Sequence, residues 1–136
     1  MFADLKFHHI GIACFTIDES KAFYEQMGYK PSDVTDDPIQ DIRICFLEKD
    51  DVPMIELLAP IDEKSPVNRI LETQGVAPYH VCYETHNLEN ALKVLRKEQK
   101  FVQVSKPAPA CAIDNRRVAF LFRKGVGLIE VVEAAA

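Results

Sequence analysis

Short apolar runs alternate with polar turns along this chain, and their order comes twice. Residues 6–15 read as a strand rich in β-branched and aromatic side chains, with Gly11 where another group approaches closely. Thr16 or Asp18 caps the next element, in which Ala22, Phe23 and Met27 recur at near-helical spacing until Gly28 stops it. Residues 29–35 are strand-like, Asp36-Asp37-Pro38 is an acidic turn, and residues 41–48 alternate with Ile42, Ile44 and Phe46 on one face. Lys49-Asp50-Asp51 then turns the chain into a further strand over 53–59. The plan restarts with a strand over 78–84 and a helix capped by Asn87, whose Leu88, Ala91, Leu92 and Leu95 share one side. A strand over 101–105, an irregular loop at Lys106-Pro107-Ala108-Pro109, and a final strand pair over 117–123 and 127–133 complete it.

The pattern predicts an α+β fold in which two βαβββ modules form a curved mixed sheet around a central cleft. Module one covers about 6–60, a connector about 61–77 and module two about 78–133, within a single domain over 1–136. Ser65-Pro66 starts a helix in the connector, with a hydroxyl cap and with Val67, Ile70 and Leu71 as its apolar face. The repeat, near 71 to 74 residues, is too long for a solenoid unit.

Composition narrows the partners. An apolar share of 48% excludes a disordered chain, and a net charge of −5 without clustered Lys or Arg excludes nucleic acid. No apolar run approaches the ~18 residues of a membrane span, and Met1-Phe2-Ala3-Asp4 does not start a signal peptide. A small molecule is the expected partner and the cytoplasm the expected location. Cys14, Cys45, Cys82 and Cys111 show no C-x-x-C spacing and read as buried free thiols of a reducing compartment.

Chemistry enters at two histidines and two glutamates. His9 and His80 each open an apolar run, a position usually filled by a partly buried, hydrogen-bonded imidazole. Glu56 between Ile55 and Leu57, and Glu130 between Ile129 and Val131, are less ordinary. An ionised carboxylate in a core strand costs several kcal/mol unless it is paired or bound to a cation. If the apolar neighbours face a helix layer, period-two alternation turns both glutamates to the other face of the sheet. His9 precedes Glu56 by 47 positions and His80 precedes Glu130 by 50. If each module curls its sheet, the four side chains face one cleft and offer a mixed nitrogen and oxygen site. Such a site suits one divalent metal ion, Zn²⁺, Ni²⁺, Co²⁺ or Mn²⁺, and the absence of cysteine from it argues against a closed structural zinc. By the same alternation His8 points away from His9, and His86 sits in an exposed turn.

The segments His9-Ile-Gly-Ile-Ala, residues 54–60, Tyr79-His-Val-Cys-Tyr, residues 117–121 and Gly127-Leu-Ile-Glu130 carry a specific resemblance. From His9 to Glu133 the chain resembles the vicinal-oxygen-chelate superfamily, the glyoxalase and bleomycin-resistance fold, and within it the methylmalonyl-CoA epimerases. The resemblance implies that His9, Glu56, His80 and Glu130 are metal ligands. It also implies a metal-dependent isomerase or epimerase that abstracts a proton next to a metal-bound carbonyl of an acyl thioester or related compound, and a homodimer. Lactoylglutathione lyase is the alternative, and a non-catalytic small-molecule binding or resistance protein the second alternative. Two features depart from the epimerase pattern. Ala77-Pro78-Tyr79-His80 replaces a glycine-rich turn with two histidines, and Ile42-Arg43-Ile44-Cys45-Phe46 holds no acid before Glu48. Glu130 or Glu56 is then the expected catalytic base, with Gln40, Asn115 and Arg116 as the expected substrate contacts.

Overall fold

The structure is a computed structural model that describes residues 4–136. It divides into two compact units: His9–Tyr79, and the residues ahead of His9 together with His80–Ala136. The first unit holds most of strand β1 (Lys6–Ala13), then helix α1 (Ile17–Gln26), strands β2 (Lys30–Pro31), β3 (Thr35–Asp37), β4 (Ile42–Glu48) and β5 (Met54–Pro60), and helix α2 (Val67–Gln74). β1 runs parallel to β5, β5 antiparallel to β4, and both β2 and β3 lie antiparallel along β4. The second unit holds most of β6 (Ala77–Thr85), then helix α3 (Leu88–Lys97), β7 (Val102–Gln103), β8 (Ala108–Ala110), β9 (Arg116–Arg123) and β10 (Gly127–Glu133). Its pairing repeats the first: β6 parallel to β10, β10 antiparallel to β9, and β7 and β8 along β9. The α+β class and the doubled order of elements are those read from the sequence.

Each unit packs one face of its strands against a helix. In the first, Ile12, Cys45, Leu47, Ile55, Leu57 and Ala59 cluster with Ile17 of α1. In the second, Ala119, Leu121, Ile129 and Val131 cluster with Leu88, Ala91, Leu92 and Leu95 of α3. Burying a leucine of this kind stabilises by roughly 1.5–3 kcal/mol, so these faces fix which residues turn the other way.

Several local expectations are corrected. Phe23 (63% exposed) and Met27 (46% exposed) do not dock α1. The inward stripe is Ile17, Ser20, Lys21 and Tyr24, an i, i+3, i+4, i+7 set half of whose members are polar. Thr16 is extended at the N-cap but its hydroxyl makes no cap bond, whereas Asn87 Oδ1 accepts the Asn90 amide at 3.0 Å as expected. Gly28 ends α1 at φ +93°, a conformation a side chain resists. Ser65 is buried, and its carbonyl rather than its hydroxyl receives the Asn68 amide. Pro66 is the N-cap of α2. Asp37 belongs to β3, not to a turn; it is buried and its Oδ1 accepts the amides of Ile39 and Gln40. Residues 108–110 pair with β9 and are not an irregular loop. Cys14, Cys45 and Cys82 are buried free thiols, but Cys111 is exposed in a 3₁₀ turn. Burial pushes the Cys14 and Cys45 thiols up, which keeps them protonated and inert.

Candidate functional site

Strand register brings one histidine and one glutamate together in each unit. In the first, Gly11 and Phe46 flank Glu56 as cross-strand partners, and His9 lies two residues from Gly11 on the same face. Ile55 and Leu57 go to the core, so Glu56 turns to the opposite face. His9 is 0% and Glu56 4% exposed. His9 Nε2 stands 3.1 Å from Glu56 Oε1. In the second unit, Cys82 and Phe120 flank Glu130, and His80 lies two residues from Cys82. His80 and Glu130 are each 3% exposed, with His80 Nε2 3.3 Å from Glu130 Oε1.

These separations test whether the pairs suit a metal. Two ligands about 2.1 Å from one ion lie about 3.0 Å apart when they subtend a right angle and about 3.4 Å apart in a tetrahedron. A neutral imidazole N–H donating to a carboxylate spans about 2.7–3.2 Å, so the 3.1 Å of the first pair is compatible with a direct hydrogen bond as well. Both pairs have ligand spacing, and their nitrogen and oxygen donors suit the borderline divalent ions. Each unit therefore presents a half-site that fits a divalent cation.

An aromatic ring completes each half-site. Phe46 meets His9 edge to face, with centroids 5.4 Å apart and an interplanar angle of 75°. Phe120 meets His80 the same way at 5.4 Å and 88°. Neither phenylalanine stands out in the sequence as a site residue. The available signal is that Phe46 and Phe120 are 74 positions apart, as are Glu56 and Glu130.

The two faces diverge one row further on. In the first unit Lys30 and Glu48 are register partners, and they help to line a cavity of about 630 Å³ with Gly28, Lys49, Val52 and Met54. In the second unit the corresponding partners are Val102 and Phe122, both exposed.

The three residues expected to contact substrate are placed as follows. Gln40 Nε2 donates to Asp37 Oδ2 at 3.1 Å, and Asn115 is exposed at φ +60° beyond the 3₁₀ turn. Arg116 Nη1 is 3.5 Å from Glu84 Oε2 and donates to the Glu133 carbonyl at 3.2 Å, while its Nη2 is 3.3 Å from His8 Nε2. His86 is exposed, as read from its turn.

Residues 8–120 match the sequence profile of the glyoxalase/bleomycin resistance protein/dioxygenase superfamily. The chain belongs to this superfamily. Among solved structures, a hypothetical protein from Bacillus halodurans C-125 superposes with a TM-score of 0.85 and 29% identity, covering 97% of this chain and 96% of that one. A variant of the Streptomyces coelicolor methylmalonyl-CoA epimerase, in complex with 2-nitronate-propionyl-CoA, gives 0.83 and 25% over 98% and 100%. A mitochondrial methylmalonyl-CoA epimerase of Dictyostelium discoideum is 28% identical over 134 residues, 94% of this chain and 78% of that protein. No helix among the described residues of this superfamily member is long and apolar enough to cross a membrane.

Proposed function

We propose that this protein is a divalent-metal-dependent isomerase that moves a proton next to a carbonyl, in the manner of a methylmalonyl-CoA epimerase. The observation that carries the reading is the repeated His–Glu pair, buried and at ligand spacing in both units. The similarity to epimerases supports the substrate class, an acyl thioester, and the superfamily supports one domain built around a shared cleft. In this reading His9, Glu56, His80 and Glu130 together hold one ion, Zn²⁺, Ni²⁺, Co²⁺ or Mn²⁺.

When bound, the cation supplies Lewis-acid polarisation of a substrate carbonyl, which acidifies the neighbouring C–H. The chain's own groups do the rest. One of the two glutamates, Glu130 or Glu56, takes the α-proton on its carboxylate from one face, and the other, protonated beforehand, delivers its proton to the opposite face to invert the centre. β4 carries no acid between Ile42 and Leu47, and the base is assigned to the two buried strand glutamates that each stand beside a histidine. His9 and His80 would hold the ion beside the carboxylates, and the Phe46 and Phe120 rings keep water from that side of each pair. Gln40, Asn115 and Arg116 remain outer contacts for a polar substrate tail. Three buried free thiols suit a reducing compartment, and we place the protein in the cytoplasm.

Incubation of the metal-loaded protein with methylmalonyl-CoA in deuterated water tests the reading. Loss of the α-proton signal is expected, with none in Glu130→Gln. Turnover of the glutathione hemithioacetal of methylglyoxal without α-proton exchange in the thioester would assign the lyase reaction instead. Inertness towards both would remove the isomerase reading.

A further inference from the structure

Both histidine-bearing units contain the same irregularity next to the site. Along β4 the pairing passes from Pro31↔Leu47 to Thr35↔Ile44, so three residues of the edge segment oppose two of β4. Along β9 it passes from Gln103↔Leu121 to Ala108↔Val118, so four residues oppose two. Each is a bulge, and each leaves a central-strand amide without a backbone carbonyl opposite. A serine hydroxyl fills that place both times. Ser32 Oγ accepts the amide of Phe46 at 2.9 Å, and Ser105 Oγ accepts the amide of Phe120 at 2.9 Å. The carbonyls of the same phenylalanines are held as well, by the amide of Ser32 at 2.7 Å and the amide of Val104 at 2.8 Å. These two phenylalanines are the ones whose rings meet His9 and His80 at 5.4 Å.

We infer that Ser32 and Ser105 are equivalent positioning residues, each setting the orientation of the histidine in its own unit through the backbone and ring of the intervening phenylalanine. A strand amide denied its acceptor pulls toward water and takes its side chain with it. The hydroxyl removes that pull and pins the ring. The pinned ring walls off one side of the imidazole, so Nε2 stays aimed at the glutamate. Ligand orientation of this kind is set by groups behind the ligands, and their loss typically weakens metal binding about 10–100-fold. The lower end of that range is expected here, because the serine acts through two intermediaries.

The role as metal-ligand positioning rests on the metal reading above, while the effect on the imidazoles does not. The test is done on the full chain with Ser32→Ala, Ser32→Thr, Ser105→Ala and Ser105→Thr. Cobalt(II) titration followed by visible absorption should show affinity falling about tenfold in each alanine variant and returning in each threonine variant, which keeps the hydroxyl. In the metal-free protein, ¹⁵N-edited imidazole spectra should move for His9 alone in Ser32→Ala and for His80 alone in Ser105→Ala. Asn87→Ala, a destabilising change away from both half-sites, should move neither imidazole. Phe46→Leu and Phe120→Leu should reproduce the serine effects, and they replace any alanine variant that fails to fold. Imidazole signals unchanged in the serine and phenylalanine variants overturn the inference. So does a shift of both histidines in every variant, which marks general loosening. If the wild-type chain takes up no cobalt, the metal reading fails, and the imidazole spectra still decide whether the serines position the histidines.

Discussion

Glu56 and Glu130 are carboxylates sunk to 4% and 3% exposure in strands whose neighbouring residues feed a hydrophobic core. Burial at that depth is costly unless the charge is matched, and glutamine keeps the shape while removing it. Glu130→Gln is therefore expected to remain folded and to exchange a substrate α-proton at least about 10²-fold more slowly, as read by NMR in deuterated water. Glu56→Gln should act in the same direction. The two glutamates are legible in the sequence because an acid between Ile and Leu, or between Ile and Val, contradicts its surroundings. Their histidines become legible only by association with them, through the repeat. Phe46, Phe120, Ser32 and Ser105 are not legible, since a strand aromatic or a loop serine has many ordinary reasons to be where it is. What gives them a role is a register shift, which leaves no trace in hydrophobicity.

At the scale of elements, the helices separate caps that bond from caps that only look right. Asn87→Ala should cost about 1 kcal/mol in chemical denaturation, because its side chain satisfies the Asn90 amide. Thr16→Ala should cost only a few tenths of a kcal/mol, because its hydroxyl makes no such bond. Helix α1 also shows how an amphipathic reading fails: half of its inward stripe is polar, while Phe23 faces out. At the end of β10, Arg117 clamps Glu133 through Nε and Nη2, both at 2.9 Å, and the guanidinium holds the Glu133 carboxyl below the usual range. A carboxyl lowered on folding adds stability above its ordinary pKa and loses it as pH falls through the lowered one. Arg117→Leu should accordingly reduce stability at about pH 7 and make little difference at about pH 2, measured by denaturant titration at both. The clamp is partly solvent-exposed, so the effect is modest.

For the whole molecule, the doubled order of strand, helix and three strand regions is readable because the alternation of apolar residues returns with the same sequence of turns. The edge segments of both units are not, because bulges break the alternation where the pairing slips. That is why 29–35 splits into two strands and 108–110 joins one. A cation held only by the folded chain also makes stability depend on its concentration. At about 100 times the dissociation constant it adds about 2.7 kcal/mol, so a chelator should lower the melting temperature and the ion restore it. The most direct test of the central claim, one ion shared by two equivalent half-sites, is the metal-to-chain ratio after reconstitution and desalting. The account predicts one ion per wild-type chain and essentially none in either His9→Ala or His80→Ala. Two ions per chain falling to one in each variant, or no retained metal at all, would contradict it.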